Sequence, residues 1–237
     1  MTKAAQTQRR TCSVYGADPQ NNPRLATILA TAKKAGFPKA SVEAAIARGQ
    51  GISITGAALE QLTLEAIIPP SIAFVIEIET DNRKRTLADL RYLIKTNGGT
   101  VTPTSYLFRK SGRVTFEKDD RALGADEMLD EAIEAGAEDV EEDEDGNVVV
   151  WTDPSKTMGT AEALSKSLNL KVHSSDIIWA PNEDTLVPID SEDTFTALAG
   201  LIDALQDNPN VQGVYVNVSQ GSIEEGAWSD LQDKIAV

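Results

Sequence analysis

Apolar residues follow a helical period near the start of the chain. Leu25 and Ile28 lie on one face of a predicted helix that ends near Gly36. Pro38, a residue that the first turn of a helix tolerates, begins a second predicted helix that continues to Gly49. Because the apolar faces of both helices are small, we expect this module to pack against another part of the molecule.

Two runs with the period of strands come next, QLTLEAII and SIAFVIEIE, separated by Pro69 and Pro70. In the second run, large apolar side chains alternate with a set that comprises Val75, Glu77 and Glu79. A period of two residues is typical of a sheet with one face in water. We therefore predict that this set lies on the wet face.

The segment TDNRKRTLADLRYLIKTNGG, residues 80–99, predicts a basic helix. Asp81 or Asn82 can cap its first turn, and the sequence NGG at its end stops it. Its predicted buried stripe comprises Leu87, Leu90 and Ile94. A second face collects three cations at spacings of seven and four residues, namely Lys84, Arg91 and Lys95. The strand SYLFR is then predicted to complete a β-α-β unit.

Residues 113–182 have the order β-α-β-β-α-β, which is the ferredoxin-like split motif. A hairpin that turns at Asp145-Gly146 lies at its centre. The strand RVTFE and the helix ADEMLDEAIEAG precede this hairpin, and the helix TMGTAEALSKSL and the strand KVHSSDIIW follow it. Downstream, the strand TLVPI, an amphipathic helix and the strand VQGVYVNV would join the earlier β-α-β unit in a second copy of the motif.

These elements predict an α+β fold with a small helical N-terminal domain and two ferredoxin-like α/β domains, one inserted in the other. The predicted helical domain covers residues 1–59 and is basic. The discontinuous ferredoxin-like domain covers residues 60–112 and 183–237, and the inserted acidic domain covers residues 113–182.

Charge is distributed unevenly along this chain of 237 residues, whose formal net charge is −15. Residues 1–59 hold eight basic residues and two acids, whereas residues 113–237 hold seven basic residues and 29 acids. Such a chain can present one end to a polyanion while the other end is repelled from it. The first 17 residues contain no acid, a composition found both in mitochondrial presequences and in disordered tails.

The sequence offers little for catalysis or metal binding. A single cysteine, Cys12, excludes an internal disulfide and a cysteine-based zinc site. The single histidine, His173, is predicted to lie on a strand at the surface or at a sheet edge, where its neighbours cannot form a triad with it. The acidic hairpin has Thr152 where a calcium loop needs glutamate.

Phosphate-binding glycine motifs are also absent from the sequence, and no apolar run approaches the roughly 20 residues that cross a bilayer. We therefore predict a protein that is not an enzyme and that has no cofactor, metal, small-molecule substrate or membrane span.

The basic helix admits two interpretations. It is either a solvated face, partly neutralised by nearby acids, or a phosphate-binding surface, since arginine and lysine position a nucleic-acid backbone without reading its bases. The acids in question are Asp81, Asp89, Glu77 and Glu79. Tyr92 is the only aromatic residue in the segment, so contact with folded RNA or duplex is favoured over single-strand binding on a stacking platform.

Several segments together resemble the YebC/PmpR family, including its mitochondrial branch, the translational activators of cytochrome c oxidase subunit one. The resemblance runs from about Asn22 to Val218 and implies a helical first domain followed by two α/β domains. The segments that carry it are NPRL at 22–25, FPK at 37–39, TDNRKRT at 80–86, NGG at 97–99 and SYLFRKSG before an acidic insert.

The resemblance implies a non-enzymatic regulator of gene expression. Its leading form is a mitochondrial translational activator, located in the matrix, that binds the ribosome or ribosomal RNA electrostatically, with messenger RNA as a further candidate. A bacterial member would be cytoplasmic. The candidate nucleic-acid-binding residues are Arg24, Lys33, Lys34, Lys39, Arg48, Arg83, Lys84, Arg85, Arg91 and Lys95.

Two other functions remain as alternatives. One is a DNA-binding transcriptional regulator, against which the acidic net charge and the lack of a recognition helix argue. The other is a protein–protein adaptor that binds no nucleic acid, which the acidic residues 113–237 would suit.

The chain departs from the family pattern in two places. The basic segment of the type GHSKWANIKHRK is not found, so we expect weaker phosphate binding. The glycine-rich loop YEGxGPGG is replaced by LEAIIPPS at residues 64–71, where paired prolines stiffen the turn.

Overall fold

In the computed structural model, the chain divides into two units. One unit contains the chain up to Thr104 and the segment from Val187 to Ile235, and the other runs from Ser105 to Leu186. The structure describes residues 29, 33–34, 36, 38–49, 57–118, 121, 123–143, 146–232 and 234–235. Every helix in these ranges is too short or too polar to cross a membrane.

Parts of the two predicted N-terminal helices are described. Leu29, Lys33 and Lys34 are helical, and Gly36 follows in a turn with a φ of +73°. Helix α1 spans Lys39–Gly49, immediately after Pro38, as predicted. The remainder of the first predicted helix, with Leu25 and Ile28, lies outside the described residues, as do the N-terminal tail and Cys12.

The elements of the first unit after α1 are β1 (Glu60–Ile68), β2 (Ile72–Thr80), α2 (Arg83–Thr96), β3 (Thr100–Val101), β8 (Val187–Ile189), α5 (Glu192–Gln206), β9 (Val211–Val216), β10 (Val218–Gln220) and α6 (Glu225–Gln232). Four of the strands form an antiparallel sheet in the order β3-β1-β2-β9. A separate parallel pair joins β8 to β10. Helices α2 and α5 contribute Leu90, Ile94, Leu198 and Ile202 to the core of this unit.

The strand order of this sheet is ferredoxin-like, but the strands that fill it differ from the prediction. A ferredoxin-like sheet consists of two β-α-β units whose strands alternate in the sheet. Here β2-α2-β3 is one of these units. Strand β1 lies between β2 and β3, which is the position predicted for TLVPI. The predictions that SYLFR and TLVPI join this sheet are wrong. Because β1 and β2 are joined by a short turn and pair over their whole length, the hairpin closes at little entropic cost. Strand β8 is three residues long and contains Pro188. Proline has no backbone N–H group to donate to a neighbouring strand, so it is disfavoured in the centre of a sheet.

The prediction that one face of β2 is exposed to water is also wrong. Val75 is fully buried and Glu79 is only 7% exposed. Strand β2 is central, between β1 and β9, so neighbouring side chains flank both of its edges. Tyr215 of β9 lies opposite Val75, and its hydroxyl is 3.3 Å from the Glu77 carboxylate. Two of the three residues predicted to lie on the wet face are therefore buried, and the third, Glu77, is half-buried.

The second unit has the predicted β-α-β-β-α-β order, with the elements β4 (Phe108–Phe116), α3 (Ala125–Glu134), β5 (Ala137–Glu142), β6 (Val148–Thr152), α4 (Thr157–Ser167) and β7 (Val172–Pro181). Its antiparallel sheet runs β5-β6-β4-β7, which is the ferredoxin-like arrangement. Its core contains Val114, Phe116, Met128 and Leu164. Short 3₁₀ turns at Ser105–Leu107 and Glu183–Thr185 flank its sheet.

The predicted boundary between residues 112 and 113 falls inside β4. SYLFR and RVTFE, predicted as separate strands of different domains, contribute to one continuous strand in the second unit. Gly112, the last residue before the predicted boundary, lies within this strand, where a Cβ atom would overlap the hydroxyls of Thr152 and Thr157. Close packing therefore accounts for this glycine.

Candidate nucleic-acid interface

Helix α2 is defined at both ends by local hydrogen bonds. The side chain of Asn82 accepts a hydrogen bond from the Arg85 backbone N–H at 3.1 Å, so Asn82 is the N-cap. At the other end, Gly98 has a φ of +77°, and the N–H of Gly99 donates to the Ile94 carbonyl at 2.9 Å. This pattern is a Schellman motif. The predicted start and end of the helix are confirmed.

One face of α2 is fixed against the core of its unit. Leu90 and Ile94 are buried, and Leu87 is half-buried, as the apolar stripe predicts. Thr86 adds a buried hydroxyl that hydrogen-bonds to Thr80 at 2.9 Å. With this face held in place, the opposite side of the helix is directed to water.

The exposed side carries a compact group of cations, which we call the basic face of α2: Lys84, Arg91 and Lys95. All three side chains are exposed, and Ala88 lies among them. None of the three forms an ion pair with any residue that the structure describes. The basic face therefore presents three charges on one rigid helix.

Two further cations of the same segment are paired with acids. The Arg83 guanidinium lies 3.0 Å from a Glu60 oxygen, and that of Arg85 lies 3.8 Å from Asp89. All four side chains are more than half exposed. Because exposed ion pairs typically contribute only about 0–1 kcal/mol, both arginines can exchange their carboxylate for another anion at little cost.

The prediction that nearby acids partly neutralise the basic helix is correct only in part. Asp89 does pair with Arg85, but Glu79 is buried in the sheet and Glu77 contacts Tyr215. The sequence analysis missed Glu60, whose position depends on strand register: it lies opposite Thr80, three residues before Arg83. Only the pairing of β1 with β2 brings this carboxylate to the start of α2.

The N-terminal candidate residues form a separate group along the chain. Lys33 and Lys34 are exposed on their helical segment, and Lys39 is exposed at the start of α1, 3.4 Å from Glu43. Only the backbone of Arg48 is described, in α1, and Arg24 lies outside the described residues.

The described residues contain no cluster of three histidine, cysteine or acidic side chains that could hold a metal ion. His173 lies on the edge strand β7, exposed and 3.9 Å from Glu117, as its sequence context predicted. In the acidic hairpin, the Asp143 carboxylate accepts hydrogen bonds from the backbone and side chain of Asn147 and so stabilises the turn.

Two family models match the sequence. One, described as the TACO1/YebC protein N-terminal domain, matches residues 2–52, and the other, described as the TACO1/YebC second and third domain, matches residues 59–218. Together they span most of the chain, including α2 and the whole second unit.

Bacterial relatives cover most of the chain. A protein of Persephonella marina is 36% identical over 205 residues, which are 85% of this chain and 80% of that protein. A protein of Rubrobacter xylanophilus is 37% identical over 205 residues, which are 85% of this chain and 79% of that protein. Both are named probable transcriptional regulatory proteins.

A solved structure has a similar fold. The crystal structure of a conserved hypothetical protein from Aquifex aeolicus has a TM-score of 0.63 and 30% sequence identity to this chain. The match covers 94% of this chain and 90% of the other.

Proposed function

The chain belongs to the TACO1/YebC family, and from that premise we propose that it regulates gene expression by binding nucleic acid through the basic face of α2. The observation that carries this proposal is the exposure of Lys84, Arg91 and Lys95 side by side on one capped helix. In a chain of net charge −15, this group makes one surface locally positive, which favours an anionic partner.

The proposed mechanism is electrostatic and involves no catalysis. Each lysine or arginine that meets a phosphate displaces a condensed counterion, which favours binding and makes the affinity fall as salt rises. Backbone contacts of this kind fix the position of a protein on nucleic acid without reading the base sequence. Arg83 and Arg85 would add to the contact by exchanging Glu60 and Asp89 for phosphates.

We propose ribosomal RNA as the ligand, with activation of translation as the outcome. The resemblance to the translational activators of the family supports this form of the function. The names of the bacterial relatives support the alternative, a DNA-binding transcriptional regulator. Bacterial relatives also favour a cytoplasmic over a mitochondrial location.

Replacing Lys84, Arg91 and Lys95 with glutamine tests the basic face directly. We expect weaker binding to RNA and a slope of log affinity against log salt that is shallower by roughly 2 to 3, because about 0.7 to 0.9 counterions are released per phosphate contact. Fluorescence anisotropy at several salt concentrations measures both quantities.

The matched control replaces Lys156, Lys166 and Lys171, three exposed lysines of the second unit, with glutamine. It removes the same charge and should leave the salt slope unchanged. If both triple variants behave alike, net charge rather than the basic face of α2 determines binding, and the proposal fails.

Sedimentation, crosslinking and DNA retention in cell extract test whether the protein acts on ribosomes or on DNA. A translation factor should sediment with ribosomes and crosslink to ribosomal RNA, and the basic-face variant should lose both. Retention on promoter DNA without ribosome association would support the transcriptional alternative. An adaptor would keep its partners in the basic-face variant.

A further inference from the structure

Tyr92 is a large aromatic side chain of α2 that the core does not use. It is 72% exposed, although Leu90 and Ile94 of the same helix are buried. Its hydroxyl forms no hydrogen bond with any described residue. Nothing in the packing of the residues that the structure describes in the first unit therefore accounts for an aromatic ring at this position.

The ring lies at the border of the basic face of α2. Lys95 follows Tyr92 by three residues and Ala88 precedes it by four, the spacings at which helical side chains are neighbours. Long helical side chains lean toward the preceding turn, where Ala88 is too small to cover a ring. The hydroxyl of Thr96, one turn later, donates to the carbonyls of Tyr92 and Leu93 and so is directed at the backbone.

A platform for stacking must also be rigid. The capped ends of α2 and the burial of Leu90 and Ile94 hold the helix axis and the rotation of the helix in place. An exposed ring on such a helix needs only its own side-chain torsions fixed when it binds, so little conformational entropy is lost.

From this arrangement we propose that the basic face of α2 and Tyr92 together bind RNA at an unpaired base. The base stacks on the Tyr92 ring while Lys84, Arg91 and Lys95 contact flanking phosphates. Bases in RNA loops and bulges can be splayed out and stacked on aromatic rings, whereas those inside a duplex stack on each other. The proposal rests on the proposed function and adds the class of ligand: RNA with an unpaired base in preference to perfect duplex. It departs from the expectation drawn from the sequence, which favoured folded RNA or duplex over a stacking platform, because the Tyr92 ring is exposed beside the basic face.

The test compares two probes, a short labelled RNA strand without internal pairing and the same strand annealed to its complement. Tyr92→Ala should weaken binding to the single strand roughly 5- to 150-fold, the range that base–aromatic stacking supplies. It should leave binding to the duplex unchanged. Tyr92→Phe keeps the ring and should bind both probes like the wild type.

Tyr106 supplies the matched control, because it is a tyrosine of the second unit with 73% exposure. Tyr106→Ala should bind both probes like the wild type. A Tyr92→Ala variant that binds the single strand as tightly as the wild type, or that loses the same factor on duplex, overturns the stacking proposal.

The same experiment separates this inference from the proposed function. If the wild type binds neither probe, or if the basic-face variant binds both as tightly as the wild type, the proposed function itself fails. If the basic-face variant binds both probes weakly but Tyr92→Ala has no effect, only the stacking proposal fails.

Discussion

At the scale of single residues, Gly112 shows how one hydrogen atom in place of a side chain permits close packing. It lies in β4, and Thr152 and Thr157 hydrogen-bond to each other at 3.0 Å where its Cβ would be. Both threonines are buried, so neither can move away without disturbing β6 or α4. Glycine is thus required here for packing, although the backbone is that of an ordinary strand.

Gly112→Ala should therefore destabilise the second unit by about 1–3 kcal/mol, the usual cost of overpacking. Chemical denaturation followed by circular dichroism measures the change. Gly159→Ala is the control, because Gly159 lies in α4 and a Cβ there meets nothing within 4 Å. This control should be neutral or stabilising, by up to about 1 kcal/mol. Equal destabilisation by both substitutions would contradict the packing argument.

At the scale of elements, α2 depends on its ends. Asn82 satisfies the Arg85 N–H at the start, and Gly98 and Gly99 satisfy carbonyls at the end. No acid occupies the first turn of this helix, where Arg83 and Arg85 place positive charge next to the positive end of the helix dipole. The cap therefore has to compensate for unfavourable electrostatics at the end of the helix that leads into the basic face.

Asn82→Ala should lower the free energy of unfolding of the first unit by about 0.5–2 kcal/mol, since the N–H of Arg85 loses its partner. Asn82→Asp keeps an acceptor and should retain the stability. Urea titration of the three proteins provides the comparison. If the alanine and aspartate variants were equally destabilised, the cap hydrogen bond would not be the cause.

At the scale of the whole molecule, the described residues form two hydrophobic cores that share no residue. One contains Phe74, Leu90 and Leu198, and the other contains Val114, Phe116 and Leu164. Because each unit has its own core, we expect two transitions in scanning calorimetry rather than one. Gly112→Ala should lower only one transition temperature and Asn82→Ala only the other. A single transition that both substitutions lower would show that the units unfold together.

Much of the fold follows from sequence signals that act locally. The helical period, the Asn82 cap and the glycine stop at Gly98 define helices that the structure contains. The hairpin around Gly146 and the full β-α-β-β-α-β unit were likewise predictable. For the candidate site, the shared face of Lys84, Arg91 and Lys95 followed from helical spacing alone.

The sequence by itself therefore determined where most of the helices and strands form, because periodicity, capping and turn geometry depend on residues close together in the chain. Only the tertiary structure decided which strands pair. It placed β1 rather than TLVPI beside β2, brought Glu60 to Arg83 and buried Val75. These outcomes depend on strand register and on contacts between residues far apart in sequence, which a local pattern does not encode.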